Sequence, residues 1–162
     1  MKKILVLSDS HASLALMRLA LKVLKPNAAV HLGDYFDDGQ AMAEENGHIP
    51  FHQVPGNCDR YRCSDWEVQM KCYDVCGVRL FMAHGHNHGV KLSSHRLILE
   101  ARKLGARAAL YGHTHVADCR QEDGLWVLNP GSCGSSGGSV GLIEVENGEI
   151  LSCRILYQAD LL

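Results

Sequence analysis

The residue pattern predicts an α/β fold in which two mixed β-sheets pack together with helices outside. The first half alternates short apolar runs with amphipathic segments, a β-α-β-α-β order that argues for parallel strands joined by crossover helices. The second half is strand-rich and punctuated by Asp123-Gly124 and Asn147-Gly148, dipeptides suited to tight hairpin turns. With 162 residues and no internal repeat or linker, one domain spanning 1–162 is expected, since single cores usually serve about 100–200 residues.

Taken in order, Lys3-Ile4-Leu5-Val6-Leu7 is a continuous apolar run, the mark of a strand buried on both faces. Ser13 is placed to cap a helix carrying Leu14, Met17, Leu21 and Leu24 on one face and ending before Pro26. Ala28 to Leu32 forms a second strand closed by Gly33. A helical stretch near Gln40 to Glu45 leads to a third strand, Ile49 to Val54, stopped by Pro55-Gly56. Trp66 to Val75 and Val78 to Ala83 read as antiparallel strands meeting at Cys76-Gly77. A helix holding Leu97 and Leu104 ends at Gly105. Strands are then expected at Ala108–Tyr111, Val116–Gln121, Leu125–Leu128, Val140–Glu146 and Glu149–Tyr157, so that the second sheet is built largely of hairpins.

Composition narrows the partners. Lys+Arg 16 against Asp+Glu 18 gives a net charge of −2, with no basic excess for nucleic acid and no polybasic run for a membrane surface. The opening MKKILVLSDS imitates a secretory leader, yet its apolar run is shorter than the about 7–15 residues such a leader needs, so a cytoplasmic location is expected. Seven cysteines at irregular spacing, none in a CxxC pair, read as reduced and mostly buried thiols.

Chemistry gathers at the expected strand ends, where open α/β sheets place their ligand sites. The first strand ends in Ser8-Asp9-Ser10-His11, the second in Gly33-Asp34, the third in Pro55-Gly56-Asn57-Cys58-Asp59. The strand from Val78 ends in His84-Gly85-His86, and the one from Ala108 in Gly112-His113-Thr114-His115. The period of two in extended backbone is expected to turn Asp9 with His11, and His113 with His115, to one side. Mixed imidazole and carboxylate donors suit borderline divalent ions such as Mn, Fe, Zn, Ni or Co.

Taken in this order, DxH, GD, GN, HGH and GHTH resemble the calcineurin-like metallophosphoesterase superfamily. PGNCD and the later Asn129-Pro130-Gly131-Ser132 resemble its small single-domain YfcE-type branch. The resemblance spans about residues 4 to 145 and implies a four-layer α/β/β/α sandwich. It implies two divalent ions per chain, with Mn the first expectation and Ni, Fe, Zn or Co as alternatives. Asp9, His11 and His115 would hold one, Asn57, His84 and His113 the other, and Asp34 would bridge them. The activity implied is phosphoester hydrolysis by a hydroxide bridging the two metals, on a small phosphoester substrate, with a diester favoured over a monoester. A homo-oligomer is compatible with this branch. The alternative is a non-catalytic interaction scaffold of the same fold, similar to the retromer subunit of eukaryotes.

One position departs from the superfamily pattern: Cys58 stands where many members have a histidine that assists the leaving group, and a thiol is a weak donor for that task. Asn57, Asp59 and His86 complete the catalytic expectation, Asp59 as a loop-orienting residue and His86 as a contact for the substrate. The remaining candidates read as structural. His31, His48, His52 and His95 are expected in packing or on the surface and His88 in a loop. Asp37-Asp38 reads as a solvated turn, Gly131 to Gly138 as a hairpin connection, and Trp66 and Trp126 as core or interface residues.

Overall fold

A computed structural model describes all residues, 1–162. The chain runs β1 (Lys2–Leu7), α1 (Ala15–Leu24), β2 (Ala28–His31), α2 (Phe36–Glu45), β3 (Phe51–Gln53), β4 (Met70–Val75) and β5 (Val78–Ala83). There follow α3 (His95–Lys103), β6 (Ala108–Leu110), β7 (Asp118–Glu122), β8 (Leu125–Asn129), β9 (Ser139–Glu146), β10 (Glu149–Tyr157) and α4 (Gln158–Leu161). They form two five-stranded mixed sheets, in the orders β10-β9-β1-β2-β3 and β4-β5-β6-β8-β7. No helix is long and apolar enough to cross a membrane.

Strand alternation builds the layers. From β1, Ile4 and Val6 point between the sheets, where Val30, Leu80, Met82, Leu110 and Leu128 meet them. Leu5 and Leu7 point the other way, under Met17, Leu21 and Met42 from α1 and α2. On the far sheet, Phe81 and Ala109 pack under Leu97 and Ala101 of α3. Central strands are therefore buried on both faces, which is why they read as unbroken apolar runs. The result is the four-layer α/β/β/α sandwich.

The makeup of the second sheet differs from the expectation. Its centre is parallel, β5 beside β6 beside β8, and hairpin partners β4 and β7 lie antiparallel at its edges. The β9–β10 hairpin instead joins the first sheet, antiparallel to β1. Three two-residue turns carry positive φ at both positions: Cys76-Gly77, Asp123-Gly124 and Asn147-Gly148. These angles suit the mirror-image turns that match strand twist.

Several boundaries shift for local reasons. Ser13 is not the cap of α1; Leu14 takes that place without a side-chain bond, and Ser13 N–H donates to Ser10 O in a turn. Helix α2 starts at Phe36, with Asp37 and Asp38 in its first turn, where carboxylates favour the positive end of the helix dipole. They are not both a solvated turn, since Asp38 is buried and accepts Ala12 N–H at 2.8 Å. Residues 64–67 form a turn, and 68–69 are irregular, rather than the start of β4, with Val68 N–H donating to Asp65 O. Strand β7 begins after Val116 because that residue's N–H is taken by Thr114 Oγ1. The short helix α4 has no counterpart in the sequence reading. Of the seven free cysteines only Cys133 is buried; Cys58 is exposed and the rest are half-buried, so the thiols are less enclosed than expected.

Candidate metal centre

The loops after β1, β2, β3, β5 and β6 converge at one end of the two sheets. Asp9 N–H donates to Gly33 O at 2.9 Å, and Gly112 N–H donates to His84 O at 2.9 Å, so loops within each sheet are tied together. Across the sheets, His113 N–H donates to Asp9 Oδ2 at 3.1 Å. Glycine is required where these loops touch. A Cβ on Gly112 would overlap Ser8 Oγ, and one on Gly56 would overlap Asp34 Oδ1.

Asp9 lies at the centre, with no exposed surface. Its Oδ2 accepts from Ser8 Oγ–H at 2.6 Å and from His113 N–H. Its Oδ1 has no hydrogen-bond partner. Around that bare oxygen stand His115 Nε2 at 3.2 Å, His11 Nε2 at 3.8 Å and His84 Nε2 at 3.8 Å. Asp34 Oδ2 lies 3.4 Å from His84 Nε2 and 3.8 Å from His11 Nε2, so it faces members of both expected ligand sets. Two groups bring donor atoms within 4.8 Å of one another: Asp9 with His11 and His115, and Asp9 with Asp34 and His84.

His84 is fully buried, and its Nδ1–H donates to Leu32 O at 2.7 Å, which leaves Nε2 free to bind. His113 Nδ1 faces that Nε2 at 3.2 Å. Burial pulls the His84 pKa down, but Asp34, Asp9 and the Leu32 carbonyl outweigh it and the net shift is upward. Burial would raise Asp34, yet His84 and the Cys58 N–H, which donates to Oδ1 at 2.9 Å, hold it well below the usual carboxylate range. Cys58 is pushed up to about 11, by burial of its sulfur and then by Asp34. Asn57 is exposed between Gly56 and Cys58, its amide turned toward the Cys58 sulfur at 3.8 Å.

The spacing rule offered for Asp9-x-His11 and His113-x-His115 does not operate here. Both pairs lie beyond their strands, and the backbone is left-handed at Asp9 (φ 56°), His11 (45°), Asp34 (49°), His113 (71°) and His115 (62°). Such a conformation costs a non-glycine residue on the order of 1 kcal/mol or more, and clusters of it mark functional sites. Left-handed turns, rather than strand alternation, aim these side chains inward.

Asp59 carries no free oxygen toward the opening. It is fully buried, its Oδ2 accepting Asp34 N–H at 2.8 Å and Gly56 N–H at 2.7 Å, and its Oδ1 accepting Phe36 N–H at 2.8 Å. It is a positioning residue that clamps two loops and the start of α2. His86 is half-buried, with its ring 5.5 Å from His84 and 6.1 Å from His113, and its Nδ1 has no partner. Burial, then the His84 and His113 charges, lower its pKa to about 4. Trp66 stacks on it at 6.5 Å, on the wall of a cleft rather than in the core. His88 is half-buried with its ring edge-on to Phe81.

Residues with no expected role in ligation also support the site. His31 was expected merely to pack; it is fully buried, accepts Gly33 N–H at Nδ1 (3.2 Å) and bonds Ser10 Oγ through Nε2 (3.0 Å). Asn129 donates to Gly112 O and Thr114 Oγ1 and accepts Gly131 N–H, bracing the GHTH loop. Ser132 Oγ–H donates to Asp9 O at 2.8 Å. The NPGS segment thus does more than connect a hairpin. The Tyr35 and His11 rings meet edge to face, their centres 5.3 Å apart. The serines flanking Asp9 and the polar ends of NPGS were the legible signals for this shell.

Residues 1–148 match the calcineurin-like phosphoesterase superfamily domain. A probable metallophosphoesterase of Mycoplasma pneumoniae is 30% identical over 135 residues, 82% of this chain and 79% of that one. A phosphodiesterase of Methanocaldococcus jannaschii is 27% identical over 147 residues, 81% of this chain and 84% of its own. Among solved structures, a predicted phosphoesterase of Streptococcus pneumoniae superposes with a TM-score of 0.78 at 23% identity, covering 98% of this chain and 90% of that one. Vps29 of Chaetomium thermophilum shares the fold at 0.70 and 19% identity, covering 97% of each chain. On the extent of the domain match and the identity to its relatives, this chain belongs to the calcineurin-like phosphoesterase superfamily.

Proposed function

We propose that this protein is a metal-dependent phosphoester hydrolase, a phosphodiesterase rather than a monoesterase, working with two divalent cations, manganese first among them. The observation that carries the reading is Asp9 Oδ1, a buried carboxylate oxygen with no donor, ringed by three imidazole nitrogens. An uncompensated buried carboxylate oxygen is costly, and a cation is the partner that this donor set suits. Asp9, His11 and His115 would hold one ion; Asn57, His84 and His113 the other; Asp34 would bridge. The 3.2 Å between His84 and His113 nitrogens is roughly the separation of two donors each about 2.1 Å from one ion.

Two such ions supply Lewis acidity at a phosphoryl oxygen and hydroxide at neutral pH. The chain does the rest. Asp59 and His31 fix the loops that carry Asp34, so the carboxylates are held before substrate arrives. His86 faces the opening as a neutral imidazole and contacts the phosphate. Cys58 gives the leaving group little help, which favours substrates whose leaving group departs as a stable anion. Both sheets contribute loops to the one site, so residues 1–162 act as a single domain.

Purified protein supplied with Mn²⁺ is expected to hydrolyse bis(p-nitrophenyl) phosphate, and Asp34→Ala or His113→Ala to abolish this. Protein fully loaded with metal yet inert toward a broad phosphoester panel would instead favour the interaction scaffold. Against the scaffold stands the donor set itself: every expected ligand position keeps a ligand-type residue.

A further inference from the structure

Two clefts share Asn57 in their walls. One, of about 440 Å³, is lined by Asn57, Trp66, Glu67, Gln69, His86 and Asn87 and contains no arginine or lysine. The other, of about 760 Å³, is lined by Asp37, Asn57, Cys58, Arg60, Tyr61 and Arg62. The second is cationic, with two arginines against one aspartate, in a chain whose net charge is −2. A further cleft of about 680 Å³, walled by Arg18, Lys22 and Glu45, lies at the opposite ends of the strands and touches none of the site.

The arginines are held at the site by its own framework. Asp59, whose carboxylate clamps the Asp34 and Gly56 loops, also begins the turn that carries them, with Arg62 N–H donating to Asp59 O at 2.9 Å. Arg62 is spoken for: it pairs with Asp37 at 3.1 Å and lies 3.6 Å over the Tyr35 ring, which in turn faces His11. The Arg60 side chain has no ion-pair or hydrogen-bond partner; its guanidinium is 5.8 Å from the centre of the Tyr61 ring, and Tyr61 is 93% exposed. A free arginine beside an exposed aromatic face, next to a phosphoester site, is the equipment for a ring that carries phosphate.

Resting on the phosphodiesterase reading above, we propose that Arg60 and Tyr61 form a specificity subsite for one arm of the diester, an arm bearing its own phosphate on a nucleoside. The cleft past Asn57, with the Trp66 face and Glu67 as its one charged side chain, repels a second phosphate and takes the other, uncharged arm. The enzyme therefore prefers unlike arms, one nucleotide and one uncharged, over two uncharged ones.

Two chromogenic substrates isolate the charge: the p-nitrophenyl ester of thymidine 5′-phosphate, and the same ester carrying a 3′-phosphate. The Mn²⁺-loaded wild type is expected to favour the 3′-phosphorylated ester by about tenfold in kcat/KM, mostly through KM. Arg60→Glu should bring that ratio to unity or below, Arg60→Lys should restore part of it, and Arg96→Ala on α3 should leave it unchanged. The ratio does not depend on the fraction of active enzyme. Tyr61→Ala should weaken both nucleoside esters relative to bis(p-nitrophenyl) phosphate. A wild-type ratio near one, or a ratio that survives Arg60→Glu, overturns the subsite while bis(p-nitrophenyl) phosphate turnover leaves the phosphodiesterase reading standing. Should no ester turn over, calorimetry with thymidine 3′,5′-bisphosphate and thymidine 5′-phosphate reads the subsite directly. Tighter binding of the bisphosphate that Arg60→Glu removes supports it, and equal affinities refute it.

Discussion

Replacing Asp9 by asparagine should make the metal-free protein more stable and the metal-loaded protein less so. Asp9 is fully buried, and Oδ1 has no donor. In Asp9→Asn one oxygen keeps the Ser8 and His113 donors, and the new NH₂ replaces the bare oxygen 3.2 Å from His115 Nε2, which can accept it. Removing a buried unsatisfied acceptor is worth about 1–3 kcal/mol. For a chain of this length each kcal/mol moves Tm by about 2–4 °C, so the variant in EDTA should melt roughly 2–12 °C above wild type. Adding Mn²⁺ at about one thousand times its Kd stabilises the wild type by about 4.1 kcal/mol through mass action, and should barely move the variant. Thermal unfolding followed by circular dichroism, with EDTA and with Mn²⁺, should therefore show the two proteins exchange rank. The reasoning fails if the variant melts below wild type in EDTA, or if both rise equally with Mn²⁺.

Asp59→Ala strands the N–H groups of Asp34, Phe36 and Gly56 and should cost about 3–9 kcal/mol in urea unfolding, at about 1–3 kcal/mol per stranded donor. Metal affinity by calorimetry should fall about 10–100-fold as the Asp34 loop loosens, and an unchanged affinity would show that Asp59 does not position the site. Burial, with a smaller contribution from His84, lowers the His31 pKa to about 4, so between 4 and 6.5 the unfolded chain binds more protons than the folded one. The stability is complete above the unfolded value and is lost as pH falls toward 4, by on the order of 3 kcal/mol; His31→Gln should flatten that part of the profile in EDTA. Cys58→His should raise kcat/KM for alkyl phosphodiesters by at least about 10²-fold while changing aryl esters little. Equal gains on both substrates would argue against a leaving-group role for the position.

Elements whose side-chain period is local were legible from the sequence. The apolar run of β1 and the face of α1 needed only their own residues. The turn dipeptides Asp123-Gly124 and Asn147-Gly148 have the positive φ at both positions that their residue types favour. Strand partners were less legible. β9 and β10 follow the second sheet in sequence and yet join the first, because register against β1 buries Ile143 and Val145 in the core between the sheets. Trp66 looked like a strand residue but stacks on His86, since the turn closed by Asp65 and Val68 removes it from β4.

The site divides in the same way. Residue types and their order at successive strand ends were enough to name Asp9, His11, Asp34, Asn57, His84, His113 and His115 as candidates and to identify the superfamily. What the order could not contain is which atoms face which. Asp9 Oδ1 is bare only because Ser8 and His113, the latter 104 positions away, both take Oδ2. His84 offers Nε2 only because Leu32, 52 positions away, takes Nδ1. Asp59 and His31 became supports only once the loops they hold were brought beside them. Composition and order along the chain determine the chemistry available; left-handed backbone turns and hydrogen bonds between distant loops, which exist only after the sheets have packed, decide where that chemistry points.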